Sequence, residues 1–153
     1  MKAMIFAAGL GTRLKPLTDS MPKALVPING KPLLEHVLLK LKQEGFTDII
    51  INVHHFADQI IQFLAQNQHF GLNIAISDET QHLLETGGGI KKASWFFGNE
   101  PFLIHNVDIL SNLPLAELVR FHTNKPDAAA TLVVSKRTTT RYLLFVNDMQ
   151  MKG

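Results

Sequence analysis

The chain has 153 residues, 46% of them hydrophobic and 18% charged, and a formal net charge of +2. This composition argues against a disordered chain, and the length predicts one domain spanning residues 1–153. The chain contains no cysteine, which excludes disulfides and thiolate metal sites and favours a cytoplasmic location. Basic residues are scattered and no apolar run reaches the ~18 residues of a membrane span, so neither a nucleic acid nor a membrane is an expected partner.

Short apolar runs alternate along the chain with stretches of helical spacing. In chain order, the predicted strands are Lys2–Ala7, Asp48–Val53, Leu72–Ser77 and Pro101–Val107. The predicted helices run from Pro32 to the residue before Gly45, and over Ala57–Asn67, Thr86–Ala93 and Leu115–Thr123. Two further strands, antiparallel to each other if they pair, are predicted over Ala128–Lys136 and Tyr142–Asp148.

The first two helices carry apolar stripes that should face a sheet. In the first helix the stripe consists of Leu33, Leu34, Val37, Leu38 and Leu41, and in the second of Ile60, Ile61 and Leu64. We also expect Trp95, Phe96 and Phe97 to pack against an edge of the sheet. The predicted fold is α/β, a Rossmann-like, doubly wound, mostly parallel sheet with strand order 3-2-1-4 and extra strands. Because the chain stops at Gly153 without a closing helix, we expect a C-terminal portion to be missing.

A glycine-rich segment, Gly9–Arg13, directly follows the first strand. Glycines let backbone approach a ligand closely, and successive N–H groups in such a loop bind anions; the alternative interpretation is a tight turn. Arg13, Lys15 and Lys23 add cations suited to phosphate. The segment is not a P-loop, and a dinucleotide fingerprint would need glycine where the chain has Leu14, which disfavours an NAD-linked dehydrogenase.

Two later segments add to this pattern. Three consecutive glycines, Gly87–Gly89, follow the third strand, and they should open space for a flat ligand or form a flexible turn. Asp108 closes the fourth strand, where a carboxylate can hold Mg²⁺. Strands one and four flank the point at which strand order reverses, where ligands bind in doubly wound sheets. We therefore expect Gly9–Arg13 and Asp108 to meet in one cleft.

The string GLGTRLKPLTDSMPKAL resembles the signature G-x-G-T-R-x4-T-x3-P-K of the sugar-1-phosphate nucleotidyltransferase family. Each defining position matches: Gly9, Gly11, Thr12, Arg13, Thr18, Pro22 and Lys23. The string LETGGGI resembles the segment that contacts nucleobase and ribose in this family, especially in its N-acetylmuramate-1-phosphate uridylyltransferase and mannose-1-phosphate guanylyltransferase-like branches.

The resemblance implies a fold of the nucleotide-diphospho-sugar transferase type and a reaction between an NTP and a sugar-1-phosphate. It implies that Arg13 holds pyrophosphate, that Lys23 lies near the α-phosphate and the sugar phosphate, and that Asp108 binds Mg²⁺. It also implies nucleotide contacts from Ala8, Gly9, Leu10, Gly11, Thr12, Arg13, Glu85, Thr86, Gly87 and Gly88.

The chain departs from the family pattern at two points. Asn106 stands where the family often has a carboxylate, and we find no candidate for a further metal-binding Asp before Gly153. These departures keep a non-catalytic nucleotide-binding regulatory module as an alternative, and a choline-phosphate cytidylyltransferase is another. The sequence does not determine the nucleobase, the sugar or the oligomeric state.

Several polar residues are assigned to ordinary structure. His54 and His55 lack the additional ligands of a zinc site and are interpreted as loop histidines. Asp78 and Glu79 end the third strand, where they either contact the nucleobase or ribose or lie in a solvated loop.

Overall fold

The computed structural model describes residues 1–136, 138, 140 and 143–152. The chain forms two compact units, Met1–Leu115 and Ala116–Gly153. The first unit contains a four-stranded sheet and a short antiparallel pair, Pro27–Ile28 with Lys31–Pro32, and the second contains most of the last helix. That the whole chain behaves as one domain stays a prediction.

The first unit is built on a sheet of four parallel strands. These are β1 (Lys2–Phe6), β2 (Asp48–Val53), β3 (Asn73–Asp78) and β4 (Leu103–Asn106). Their order is β3-β2-β1-β4, which confirms the predicted order 3-2-1-4. Because β1 has a neighbour on each side and is covered on both faces, its central residues Ala3, Met4 and Ile5 are fully buried.

The helices begin and end within about two residues of the predicted bounds, with one addition. They are α1 (Leu33–Gln43), α2 (Ala57–Gln66), α3 (Glu85–Lys92), the unpredicted single turn α4 (Ser94–Phe97) and α5 (Leu115–Thr123). The predicted stripe of α1 is buried throughout. Gly45 follows α1 with φ +84°, the left-handed conformation that commonly ends a helix. None of the described helices has the length and apolar character needed to cross a membrane.

Two side chains predicted to face the core point outwards. Ile61 is 42% exposed, whereas Ile60 and Leu64 are buried. Successive helical residues are about 100° apart, so a side chain next to the centre of a stripe can turn into solvent. Trp95 is 67% exposed, while Phe97 is buried and stacks on Phe102 with ring centroids 3.6 Å apart. The prediction that Trp95 packs against the sheet is wrong, because residues two apart on a helical turn face opposite sides.

The two extra strands are not formed as predicted. Residues 128–136 contain no strand, and within the described part of 142–148 only Phe145 forms a β-bridge, to Met151; Tyr142 lies outside the described residues. Residues 128–136 include β-branched residues, which favour strands, yet Leu132, Val133 and Val134 are exposed. A strand also needs a neighbour for its backbone hydrogen bonds, and no described residue supplies one to this segment.

The contrast between Ile50 and Ile61 gives a test of the core. Ile50 is fully buried in β2 and packs with Met4, Ala93 and Phe97, so Ile50→Ala should lower the free energy of unfolding by ~2–5 kcal/mol. Ile61→Ala removes the same atoms from an exposed site and should change it by ~0.5 kcal/mol or less. Urea denaturation measures both, and equal losses would contradict the burial described here.

Candidate active site

The carboxyl ends of three neighbouring strands are aligned at one edge of the sheet. Phe6 at the end of β1 is in register with Asn52 of β2 on one side and with Asn106 of β4 on the other. The strand order reverses at β1, because β2 lies on one side of it and β4, which follows β3 in the chain, lies on the other. Doubly wound α/β proteins bind ligands in the crevice beyond the strand ends at such a point.

A cavity of about 190 Å³ occupies this crevice, and we call it the switch-point cavity. Its lining comes from the ends of β1, β2 and β4 and from the segments after β1 and β3. The residues are Phe6, Ala8, Gly9, Asn52, Glu79, Leu83, Glu85, Thr86 and Asn106. The glycine-rich segment, the start of α3 and the end of β4 therefore adjoin one space, although they are far apart in the sequence.

The glycine-rich loop is held in shape by its own motif residues. Gly11 has φ +67°, and a Cβ there would lie 2.8 Å from Thr18 Cγ2 and 3.2 Å from Lys23 Cβ. The buried Thr18 hydroxyl donates to the Gly11 carbonyl at 2.8 Å. At Gly9, by contrast, a Cβ would meet nothing within 4 Å. Gly11 and Thr18 thus fold the loop back on itself, while Gly9 presents bare backbone to the cavity.

The same loop brings Lys23 to the end of β4. Pro22 is extended and precedes a short helical turn, Lys23–Leu25, from which the Lys23 ammonium forms an ion pair with the Asp108 carboxylate. Both side chains keep access to solvent, with 17% and 38% exposed. Two of the three predicted catalytic residues are therefore in contact as a cation and an anion, and Asp108 lies two residues beyond Asn106, which lines the cavity.

The remaining predicted contacts divide between the cavity and its surroundings. Of the ten predicted nucleotide contacts, Ala8, Gly9, Glu85 and Thr86 line the switch-point cavity. Arg13 is exposed in the turn Thr12–Leu14, and its guanidinium has no hydrogen-bond or ion-pair partner among the residues that the structure describes. The cavity lining does not include Leu10, Gly11, Thr12, Arg13, Gly87 and Gly88.

A buried polar pair, Asn52 and Glu79, forms one side of the cavity and was not predicted as such. Their side chains are 2% and 1% exposed. Asn52 Oδ1 accepts from the Ala7 N–H at 2.8 Å, and Asn52 Nδ2 donates to Glu79 Oε1 at 2.9 Å. Glu79 Oε2 accepts from the Leu84 N–H at 3.1 Å. A solvated loop is therefore wrong for Glu79, because the carboxylate turns inward to satisfy buried donors, whereas Asp78 is exposed.

The three consecutive glycines of α3 differ in their surroundings. A Cβ at Gly89 would lie 2.9 Å from Glu79 Oε1, and one at Gly88 would lie 2.9 Å from Leu84 Cβ. Close packing thus explains these two glycines, whereas a Cβ at Gly87 would meet nothing within 4 Å. That Gly87 makes room for a flat ligand stays a prediction. Glu85, which begins α3, has φ +59°. A non-glycine residue in this left-handed region costs ~1–2 kcal/mol, and such strain concentrates at functional sites.

A second cavity, of about 220 Å³, lies next to the segment that follows Asp108. Its lining is His36, Val37, Lys40, His105, Ile109, Leu110 and Ser111. The Lys40 ammonium donates to the carbonyls of Ser111 and Leu113, both at 2.7 Å, and so fixes that segment. Burial is the main cause that lowers the pKa of His105, and the charge of Lys40 lowers it further. The hydrogen bond with the Asn106 carbonyl and the charge of Asp108 raise the pKa, but the net shift is downward.

The fold and the crevice together define a doubly wound α/β protein with an anion-compatible loop at its switch point. Residues 2–149 match the family model for Nucleotidyl transferase. The chain belongs to this family, and the resemblance seen in the sequence is confirmed.

Named relatives and a solved structure extend the comparison. The chain is 43% identical over 127 residues to the N-acetylmuramate alpha-1-phosphate uridylyltransferase of Neisseria meningitidis serogroup B, covering 83% of this chain and 55% of that protein. It is 34% identical over 151 residues to the mannose-1-phosphate guanyltransferase of Gibberella zeae, covering 97% and 41%. The structure of HddC from Yersinia pseudotuberculosis complexed with GMP-PN superposes with a TM-score of 0.71 and 31% identity, covering 78% of this chain and 53% of that one. The chain thus spans about half the length of these relatives.

The two glycines of the first loop should respond differently to a methyl group. Gly11→Ala forces an L-residue into positive φ against Thr18 and should lower the free energy of unfolding by more than ~1 kcal/mol. In Gly9→Ala the added methyl group meets open space, so the free energy of unfolding should stay unchanged or rise slightly. Chemical denaturation of both variants measures this difference, and equal stabilities would contradict the loop geometry.

His105 should make the stability depend on pH. Burial holds its folded pKa below the ordinary value of 6.5, so the unfolded chain binds the proton first as the pH falls. Stability conferred by the neutral imidazole is therefore present above pH 6.5 and lost as the pH falls towards the folded pKa. Between pH 7.5 and 5, wild type should lose more stability than His105→Gln. Parallel stability curves for the two proteins would show that the imidazole is not held neutral.

Proposed function

We propose that the protein is a sugar-1-phosphate nucleotidyltransferase, which transfers NMP from an NTP to a sugar-1-phosphate and releases pyrophosphate. The observation that carries the proposal is the contact between Lys23 and Asp108, which lies two residues beyond Asn106. Asn106 and Gly9 line the same cavity. A cation, a carboxylate and bare backbone N–H groups are the partners that a triphosphate with its metal requires. Membership of the family and the named relatives support the same activity.

The proposed chemistry needs no protein nucleophile. An oxygen of the sugar-1-phosphate attacks the α-phosphorus, forming one P–O bond, and the bond to the leaving pyrophosphate breaks. The protein's contribution is to position two anions against each other and to neutralise their charge. Lys23 would exchange its contact with Asp108 for the phosphates. Arg13, exposed and unpaired within the described chain, has the planar fork that suits pyrophosphate.

The carboxylate at the end of β4 fits Mg²⁺ as a ligand shared with the substrate. Among the described residues, no three His, Cys, Asp or Glu side chains cluster as a protein-only metal site. Mg²⁺ nevertheless keeps several waters and often binds through one or two carboxylates plus substrate phosphates, which Asp108 alone satisfies. When bound, the ion would neutralise phosphate charge and polarise the α-phosphate.

The switch-point cavity is the proposed site of the nucleobase and ribose. Glu85, Thr86 and Asn106 supply polar groups, and Phe6 and Leu83 supply apolar surface. The chain's lack of cysteine favours action in the cytoplasm.

Asn106 motivates a second candidate, a nucleotide-binding module without turnover. Its neutral amide stands two residues before Asp108, where a second carboxylate would strengthen metal binding. Calorimetric titration of four NTPs with Mg²⁺, run beside a turnover assay on the protein expressed from its complete gene, separates the two. Tight binding without pyrophosphate release would favour the module.

Lys23→Ala and Asp108→Asn test the proposed roles. Each removes one charged contact to the reacting phosphates and should lower kcat by ~10²–10³-fold in a pyrophosphate-release assay with a panel of NTPs and sugar-1-phosphates. Lys31→Ala is the matched control, because Lys31 forms its ion pair with Glu35 instead. Normal turnover in both site variants would refute these roles.

A further inference from the structure

We infer that Asn52 and Glu79, a buried side-chain pair, are positioning residues that hold the switch-point cavity in the shape that binds the NTP. The inference rests on the proposed function and adds residues that stabilise the site without contacting the reacting phosphates. We refer to these two side chains as the Asn52–Glu79 pair.

Glu79 is a buried acidic side chain without a cation. It is 1% exposed, and both of its oxygens accept hydrogen bonds, from the Asn52 amide and the Leu84 N–H. The nearby Lys92 ammonium donates to the Asp78 carbonyl rather than to Glu79, and no cation of the described chain forms an ion pair with Glu79. Burying a carboxylate without a cation is costly unless its oxygens accept hydrogen bonds. Both donors here belong to the wall of the cavity, since Asn52 lines it and Leu84 lies between the lining residues Leu83 and Glu85. The buried carboxylate therefore joins separate parts of the cavity wall.

The pair ties together three segments that line the cavity. Through Ala7, Asn52 holds the backbone immediately before Ala8 and Gly9. Through Leu84, Glu79 holds the turn that places Leu83 and Glu85 in the lining. The middle of α3 packs against the same atoms, since a Cβ at Gly89 would lie 2.9 Å from Glu79 Oε1 and 3.3 Å from Asn52 Nδ2.

The main chain of Glu79 is fixed as firmly as its side chain. Its N–H donates to the Val53 carbonyl at 2.8 Å, and its carbonyl accepts from the His82 N–H at 3.0 Å. His54 Nδ1 also lies 2.7 Å from that carbonyl. Because the Glu79 main chain is held in place, its carboxylate can position the surrounding segments.

The hydrogen bonds of the pair predict how three substitutions behave. Glu79→Gln leaves one acceptor oxygen for two donors, so an N–H faces an N–H. Asn52→Asp places two carboxylates against each other and removes the donor to Glu79. The double variant N52D/E79Q restores all three bonds, because the introduced aspartate accepts from Ala7 and from the introduced glutamine, whose oxygen accepts from Leu84.

The test is calorimetric titration of UTP and GTP, each with Mg²⁺, together with steady-state kinetics on the protein expressed from its complete gene. Glu79→Gln and Asn52→Asp should each weaken NTP binding by about 10-fold or more, and the KM for NTP should rise in parallel. In Glu79→Gln, kcat at saturating NTP should stay within about threefold of wild type, because the phosphate contacts remain. N52D/E79Q should return NTP affinity to within about threefold of wild type.

Ser77→Ala is the matched control. Ser77 lies two residues before Glu79, is 3% exposed, and its hydroxyl has no hydrogen-bond partner among the described residues. Its removal disturbs the same buried strand but breaks no hydrogen bond, so NTP affinity should not change.

Three results would overturn the inference: wild-type NTP affinity in Glu79→Gln, a double variant no tighter than the weaker single variant, or a double variant that does not fold. If a single variant does not fold, the double variant alone decides by its affinity. A wild-type protein that neither binds an NTP nor releases pyrophosphate contradicts the proposed function and the inference with it. Wild-type turnover with unchanged NTP affinity in Glu79→Gln contradicts the inference alone.

Discussion

The parallel pairing of β1 with a strand on each side is the constraint on which the site depends. One residue, Phe6, is in register with both Asn52 and Asn106, so the three strand ends are level. A shift of one residue in either pairing would turn every side chain of that strand to the opposite face. The level ends bring the glycine-rich loop, the buried Asn52 amide and the residue two before Asp108 to one edge of the sheet, where they adjoin the switch-point cavity.

Residues of the family signature also determine the conformation of the first loop. Gly11 is required because its backbone is left-handed and Thr18 and Lys23 leave no room for a side chain. Thr18 is required because its hydroxyl closes the loop on the Gly11 carbonyl. Lys23 then emerges where it contacts Asp108. Much of the motif thus shapes the loop, and only part of it is presented to a ligand.

Most element bounds could be predicted from the sequence, because hydrophobic periodicity is a local property. The strand order could be predicted because 3-2-1-4 is a common order of doubly wound sheets. Features that depend on a neighbour elsewhere in the fold could not be predicted from the sequence. Residues 128–136 have the composition of a strand but no described neighbour, and Trp95 has the chemistry of a core residue but occupies the outer side of a single turn.

The Asn52–Glu79 pair was missed for a related reason. Asn52 lies within the apolar run of β2, and Glu79 follows β3, 27 residues later. Nothing in the sequence relates these two residues to each other. Only the register between β2 and β3 makes them neighbours. A polar side chain inside an otherwise buried parallel strand is the signal that could have found them, since such a group must have a partner.

The most direct measurement is a crystal structure of the protein with a non-hydrolysable NTP analogue and Mg²⁺. The account predicts that the nucleobase and ribose occupy the switch-point cavity, with the phosphates between the backbone at Gly9 and the Lys23 ammonium and the ion on Asp108. An analogue bound elsewhere on the protein, with Lys23 still paired to Asp108 and the cavity empty, would contradict it.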